Sequence, residues 1–354
     1  MKKYQLVIFL GIVHFLNDCI SGLIVGRAAG TKDVLTTGLF VMVYNVLAFG
    51  IQPVWGVLGD YLRNYKYVTL TGIILVILSL FTIEFNILVS IILAGLGSSA
   101  FHAGGGGLTL LTAGESSKFA GIFASPGVLG LGTGALMVHF GIFPVVPLII
   151  LLIAAAAFLM FYFRQTEIVE ISMQRDIEEF EMHDFVMIMM LMIIAFNSLV
   201  WNLLNIFNAG DYAGLVIIAY AAGAGKLFGG YAAEYIGYKR YLMGALITAV
   251  PFLMLGKLNI VFAAIGAFFL QSTIPLYVTT LYRFTVNKPG FSASLSFGFM
   301  IAVAGLPVFI FSRAFLNQYF MYAVPLLIFA LVILIRKIPE ARQGGLTGKR
   351  SALN

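Results

Sequence analysis

Charge is what this chain has least of. Only 10% of its 354 residues are Asp, Glu, Lys or Arg, against about 25% in a soluble domain. That scarcity excludes a soluble globular enzyme and a disordered segment. It also excludes a nucleic-acid binder, whose basic patch would need water-facing charge, so the net charge of +6 is no footprint of nucleic acid. Cysteine is nearly absent. Cys19 is the single one and lies in an apolar run, which excludes an internal disulfide framework. Long polar connections are missing too, apart from one at 164–184. What remains is 61% apolar residues, 38 glycines and a mean hydropathy of +1.01. This is the composition of a polytopic membrane protein, in which glycine-rich helices pack closely.

A spanning helix needs about 20 mainly apolar residues. The runs predict twelve, at 4–25, 35–59, 67–84, 86–112, 118–138, 143–163, 185–207, 212–234, 240–256, 258–284, 290–313 and 318–336. The first run follows Lys2 and Lys3 as a signal peptide would. It is too long for one, and His14, Asn17 and Asp18 interrupt it, so it reads as a retained helix. With the N-terminus in the cytoplasm, sixteen Lys and Arg fall on the inner side and only Arg27, Lys32, Lys257 and Arg313 on the outer. This positive-inside bias puts both termini in the cytoplasm. The expected organisation is a six-helix bundle at 1–163, a cytoplasmic acidic linker at 164–184, a second bundle at 185–338 and a cytoplasmic tail at 339–354.

The halves repeat. Gly56 and Asp60 close helix two, with Arg63 and Lys66 just after; Gly230 and Glu234 close helix eight, followed by Gly237, Lys239 and Arg240. The offset is 174 residues, close to half the chain. A six-helix unit duplicated in parallel is a known transporter architecture. In this arrangement the chain resembles the major facilitator superfamily, which carries Gly-x-x-x-Asp with trailing basic residues after helix two and a weaker copy after helix eight. Arg63 stands where that motif usually has Gly. The resemblance implies a cytoplasmic gate built by Gly56, Asp60, Arg63, Gly230, Glu234, Lys239 and Arg240. Gly121, Gly130 and Gly134 in helix five have the spacing of a glycine motif of proton-coupled efflux members, and Gly130 and Gly134 are also a close-packing pair. His14–Asp18 in helix one and Ala100–His102 in helix four resemble the fosmidomycin-resistance group of drug–proton antiporters.

An ionisable residue within the membrane is costly and should face a cavity or a partner. His14 and Asp18 are four apart on one helix face, and His102 in helix four lies near the same depth. In the superfamily fold, helices one, four, seven and ten line the central cavity. The expected proton-coupling residues are therefore Asp18, His14 and His102. The expected cavity residues are Asn17, Asn45, Ser99, Asn197, Trp201, Asn205, Gln271 and Tyr277. Lys226, in the repeat position of Gln52, is expected to snorkel toward the cytoplasm, with contact to an anionic substrate as the alternative.

The expected function is secondary active transport by alternating access: proton-coupled efflux of a small amphipathic solute across the bacterial inner membrane, by a monomer. Two alternatives stay open, a proton-coupled uptake symporter and a divalent-metal exporter using His14, Asp18 and His102 with Asn17 or Cys19. No nucleophile–base pair or diagnostic metal spacing is present, so neither an enzyme, a resident metal nor another cofactor is expected. The partners are the bilayer, the solute and protons.

Overall fold

A computed structural model describes residues 3–31, 34–161, 180–207, 212–256, 258–285, 288–310 and 313–337. Most of the acidic linker, the tail and Asn208 lie outside these. Among the described residues every regular element is helical. Twelve spans follow in order. They are α1 (Lys3–Thr31); α2 (Val34–Asn45) running through a π turn (Val46–Gly50) into α3 (Gln52–Leu62); α4 (Tyr65–Thr82); α5 (Ile87–Ala113); α6 (Ser117–His139); and α7 (Val145–Phe161). The second half holds α8 (Phe180–Phe207); α9 (Tyr212–Ile236); α10 (Tyr238–Leu255); α11 (Ile260–Gln271) with α12 (Ile274–Phe284); α13 (Pro289–Ser294), a π turn (Leu295–Phe299) and α14 (Met300–Ile310); and α15 (Arg313–Lys337). Eight of the spans are long and apolar enough to cross a membrane, which makes this a multi-pass membrane protein. The seventh span starts at Phe180, inside the stretch expected as linker.

Local sequence sets the breaks. Asn86 caps α5 by accepting from the amides of Leu88 and Val89, and Asn259 caps α11 by accepting from Val261. These two residues open the fourth and tenth spans, the same step of the two halves. A left-handed residue ends α3: Arg63, at φ 51°. Its counterpart in the repeat, Gly237, has φ 95°. The position therefore asks for glycine in both halves, and Arg63 carries a conformational cost of about 1–2 kcal/mol.

In lipid, burying apolar surface does not drive helices together; close van der Waals packing does. Packing of this kind joins α1 to α6. A Cβ at Gly134 would overlap the carbonyl of Cys19, and one at Gly130 the carbonyl of Phe15. Gly104 to Gly107 serve the same end in α5. Added Cβ atoms would meet Thr69 on α4, Phe123 on α6, Ala293 on α13 and the Tyr65 ring in turn. The run lies within an uninterrupted helix whose every side is packed.

These contacts give a paired expectation. Gly134→Ala should lower the thermal midpoint in detergent by several degrees, since overpacking costs about 1–3 kcal/mol. Gly244→Ala, with nothing within 4 Å of the new methyl, should raise it slightly through helix propensity. Equal midpoints for the two variants would remove the close-packing account.

Candidate functional site

The halves are tied together, at the ends expected to face the cytoplasm, by two related joints. In the first, the Asp60 carboxylate accepts hydrogen bonds from the backbone amides of Gly290 and Phe291, both at 2.9 Å, at the start of α13. The Tyr65 hydroxyl donates to the same carboxylate at 2.6 Å. In the second, Glu234 accepts from the Lys118 amide at 3.2 Å and from the Ser116 hydroxyl at the start of α6. The offset of 174 carries Asp60 onto Glu234 and Gly290 back onto Ser116. Each acid thus meets the positive end of a helix in the opposite half, where exposed amides and the helix dipole favour negative charge. Glycine permits both approaches. A Cβ at Gly56 would sit 2.5 Å from the Gly290 carbonyl, and one at Gly230 2.6 Å from that of Ser117. Arg283 adds an ion pair to Glu115 at 2.6 Å, and Tyr238 donates to the Glu115 carbonyl at 2.8 Å.

The other expected gate residues stand apart from these joints. Arg63 ends α3, Arg240 is exposed, and Lys239 donates to the Arg336 carbonyl at 2.9 Å, capping the last span. Gly121 touches the Lys226 carbonyl on α9, whereas Gly130 and Gly134 face α1. The glycine motif therefore packs against two different helices.

On the far side of the joints lies a cavity of about 250 Å³. Its second-span lining, Met42 to Phe49, precedes Asp60 by 11 or more positions, roughly 16 Å of helix. Among the described residues it is lined by six of the expected ones: His14, Asp18, Asn45, His102, Trp201 and Gln271. Five others lie elsewhere. Asn17 sits behind Asp18, and Ser99 bonds the carbonyl of Leu96 on its own helix. Asn205 donates to the Trp201 carbonyl, Asn197 accepts from Thr273, and Tyr277 is buried. Their places are taken by Ser98, which shares the His102 face, and by Ser198, Asn202, Ser296 and Lys226 in the cavity wall. Lys226 does not snorkel to the cytoplasm. It stands in the cavity with no ion pair to another described residue.

The histidines and Asp18 meet at one point. His14 Nδ1 lies 2.8 Å from the carbonyl of Phe123, and His102 Nδ1 2.7 Å from that of Ser98. A carbonyl only accepts, so both Nδ1 atoms carry hydrogen. The two Nε2 atoms then face each other at 2.9 Å. Two neutral rings in this tautomer would oppose lone pair to lone pair. A proton shared between them would relieve that opposition. Asp18 Oδ2 lies 3.3 Å from His14 Nε2 and 3.7 Å from His102 Nε2 and supplies the counter-charge. Its other oxygen accepts from Asn17 Nδ2 at 2.8 Å. Gly127 makes the site fit, since a side chain there would overlap the His14 ring.

No protein-family model and no curated protein matches this chain. Solved structures do. A single-residue variant of the Escherichia coli fucose:proton symporter FucP superposes with a TM-score of 0.69 at 12% identity, over 95% of this chain and 99% of that one. FucP described as a major facilitator superfamily transporter in the outward conformation gives 0.68, again at 12% identity, over 94% and 97%. At that identity the likeness is one of architecture: this chain has the major facilitator fold, two six-helix bundles related by the internal repeat.

Proposed function

We propose that the chain is a secondary active transporter that carries a small organic solute by alternating access and couples it to protons through His14, Asp18 and His102. One observation carries this reading. His14, Asp18 and His102 line the same cavity that lies behind the two joints, so opening the joints would turn a proton held there and the solute toward the other side together. The cavity, apolar and aromatic with a few convergent polar groups, suits a small amphipathic molecule.

Efflux by proton antiport is the direction that the helix-one and helix-four resemblance supports. Lys226 favours the second reading, symport. Its ammonium and a proton shared by the histidines outweigh Asp18, so a neutral or anionic solute is drawn in together with the proton. The likeness in fold to a fucose:proton symporter points the same way. One measurement separates them. Proteoliposomes in weak buffer are given an inward solute gradient from a panel of sugars, carboxylates and hydrophobic drugs, and external pH is followed. Symport alkalinises the outside and antiport acidifies it. If no member of the panel shows trans-stimulated counterflow, the carrier reading fails.

A further inference from the structure

We infer that His14, His102 and Asp18 form a binding site for a divalent transition-metal ion of the zinc class, open to the solute cavity. The argument is geometric and stands apart from the direction of transport. Three electron-pair donors converge from two helices: Nε2 of His14 and of His102, and Oδ2 of Asp18, separated by 2.9, 3.3 and 3.7 Å. A triangle with those edges has a centre about 1.9 Å from every corner. An ion displaced slightly toward the cavity would therefore lie at the ~2.0–2.1 Å typical of zinc–nitrogen and zinc–carboxylate bonds. The donor atoms already stand close to the separations such an ion needs, and the two imidazole rings have only to turn their lone pairs from each other toward it.

The surroundings hold each donor in place. Both histidines donate their remaining N–H to a backbone carbonyl, and the second Asp18 oxygen accepts from Asn17. Metal-ligating histidines and carboxylates have outer partners of this kind, which fix tautomer and ring orientation. Three protein ligands with a fourth position facing an open cavity is the pattern of a zinc site that also binds a small molecule or water. Cys19 is not a ligand; its sulfur turns toward Met137 at 3.9 Å. The donor set of two imidazoles and one carboxylate selects zinc, copper, nickel or cobalt over magnesium and calcium, which require more oxygen ligands. Lys226 shares the cavity and opposes a dication, but no ion pair ties it to the triad. The ion and a proton shared by the histidines use the same lone pairs, so the two exclude each other.

The test is isothermal titration of the full chain in detergent with ZnCl₂, which needs neither a solute nor a pH gradient and is therefore read independently of transport. One saturable site is expected. If three ligands share a micromolar affinity equally, losing one weakens it about a hundredfold. His14→Gln, His102→Gln and Asp18→Asn, each near in shape to the original, should each show that loss. Their thermal midpoints without metal report whether they fold. Cobalt supplies a second readout, because a four-coordinate Co²⁺ site absorbs visible light far more strongly than the aquated ion. The band should appear in the wild type and vanish in His102→Gln. An absence of saturable zinc binding, unchanged affinity in all three variants, or equal affinity for Mg²⁺ would each overturn the assignment.

Discussion

Replacing Asp18 by Asn is expected to reduce solute accumulation driven by a pH gradient about a hundredfold or more, while solute exchange at equal pH on both sides continues. Asparagine has nearly the same shape, and its oxygen can still accept from Asn17. What it removes is the negative charge facing the two Nε2 atoms. A proton taken up by the histidine pair makes it cationic, and a buried cation deprived of its counter-charge costs about 3–5 kcal/mol. At 1.4 kcal/mol per tenfold, that is a factor of a hundred or more in the population of the proton-carrying state. The solute cavity keeps its other walls, including Trp201 and Gln271, so binding and exchange continue. The measurement is paired: gradient-driven accumulation and equal-pH counterflow in the same proteoliposomes. If both fall together, Asp18 holds the fold or the solute and does not act in coupling. If neither falls, the proton travels by another route.

The parts of this architecture that were readable in the sequence are those that depend on hydropathy and spacing. Twelve apolar runs became twelve spans, and the offset that aligns Asp60 with Glu234 reappears as two equivalent joints. His14 and Asp18, four apart, do share a face and do meet His102. What stayed hidden concerns which way a helix faces. A span that is apolar all round has no polar stripe to mark its inner face. Ser98 and Ser99 are adjacent, and only the structure shows that Ser98, one turn before His102, shares its face. The same ambiguity sent Asn197 and Asn205 to the cavity in place of Asn202. The general habit of lysine points Lys226 toward the cytoplasm, whereas the packing of α9 against α6 leaves its side chain in the cavity. The π turn at Val46–Gly50 left no trace in hydropathy, because a shift from i+4 to i+5 hydrogen bonding changes no side chain.

Neutralising both joints should tip the molecule toward opening on the cytoplasmic side. Each acid makes hydrogen bonds of the charge-assisted type to the opposite half, worth about 1.5–3 kcal/mol apiece. In Asp60→Asn the amide keeps one acceptor but turns an N–H₂ toward the second backbone donor, so at least one bond of the Gly290–Phe291 pair is lost. Glu234→Ala removes the acceptor of both Ser116 and Lys118, which bond a single carboxylate oxygen. Because the two joints lie on different helix pairs, their effects should add. The double variant is then expected to shift the closed-to-open ratio at least about a hundredfold, and each single variant about tenfold. Tyr61 and Tyr235 are equivalent positions beside the two acids and are 83% and 87% exposed. Spin labels on Tyr61→Cys and Tyr235→Cys, in a Cys19→Ser background, place one probe on each half at the cytoplasmic end. Double electron–electron resonance should show a longer distance that grows from wild type through the single variants to the double. Asn259→Ala removes a helix cap within the second half and bridges nothing, so it should leave the distribution unchanged. A distribution equally unmoved in the double variant would mean that the cytoplasmic closure is held by helix packing, with Asp60 and Glu234 serving only to cap the helices they touch.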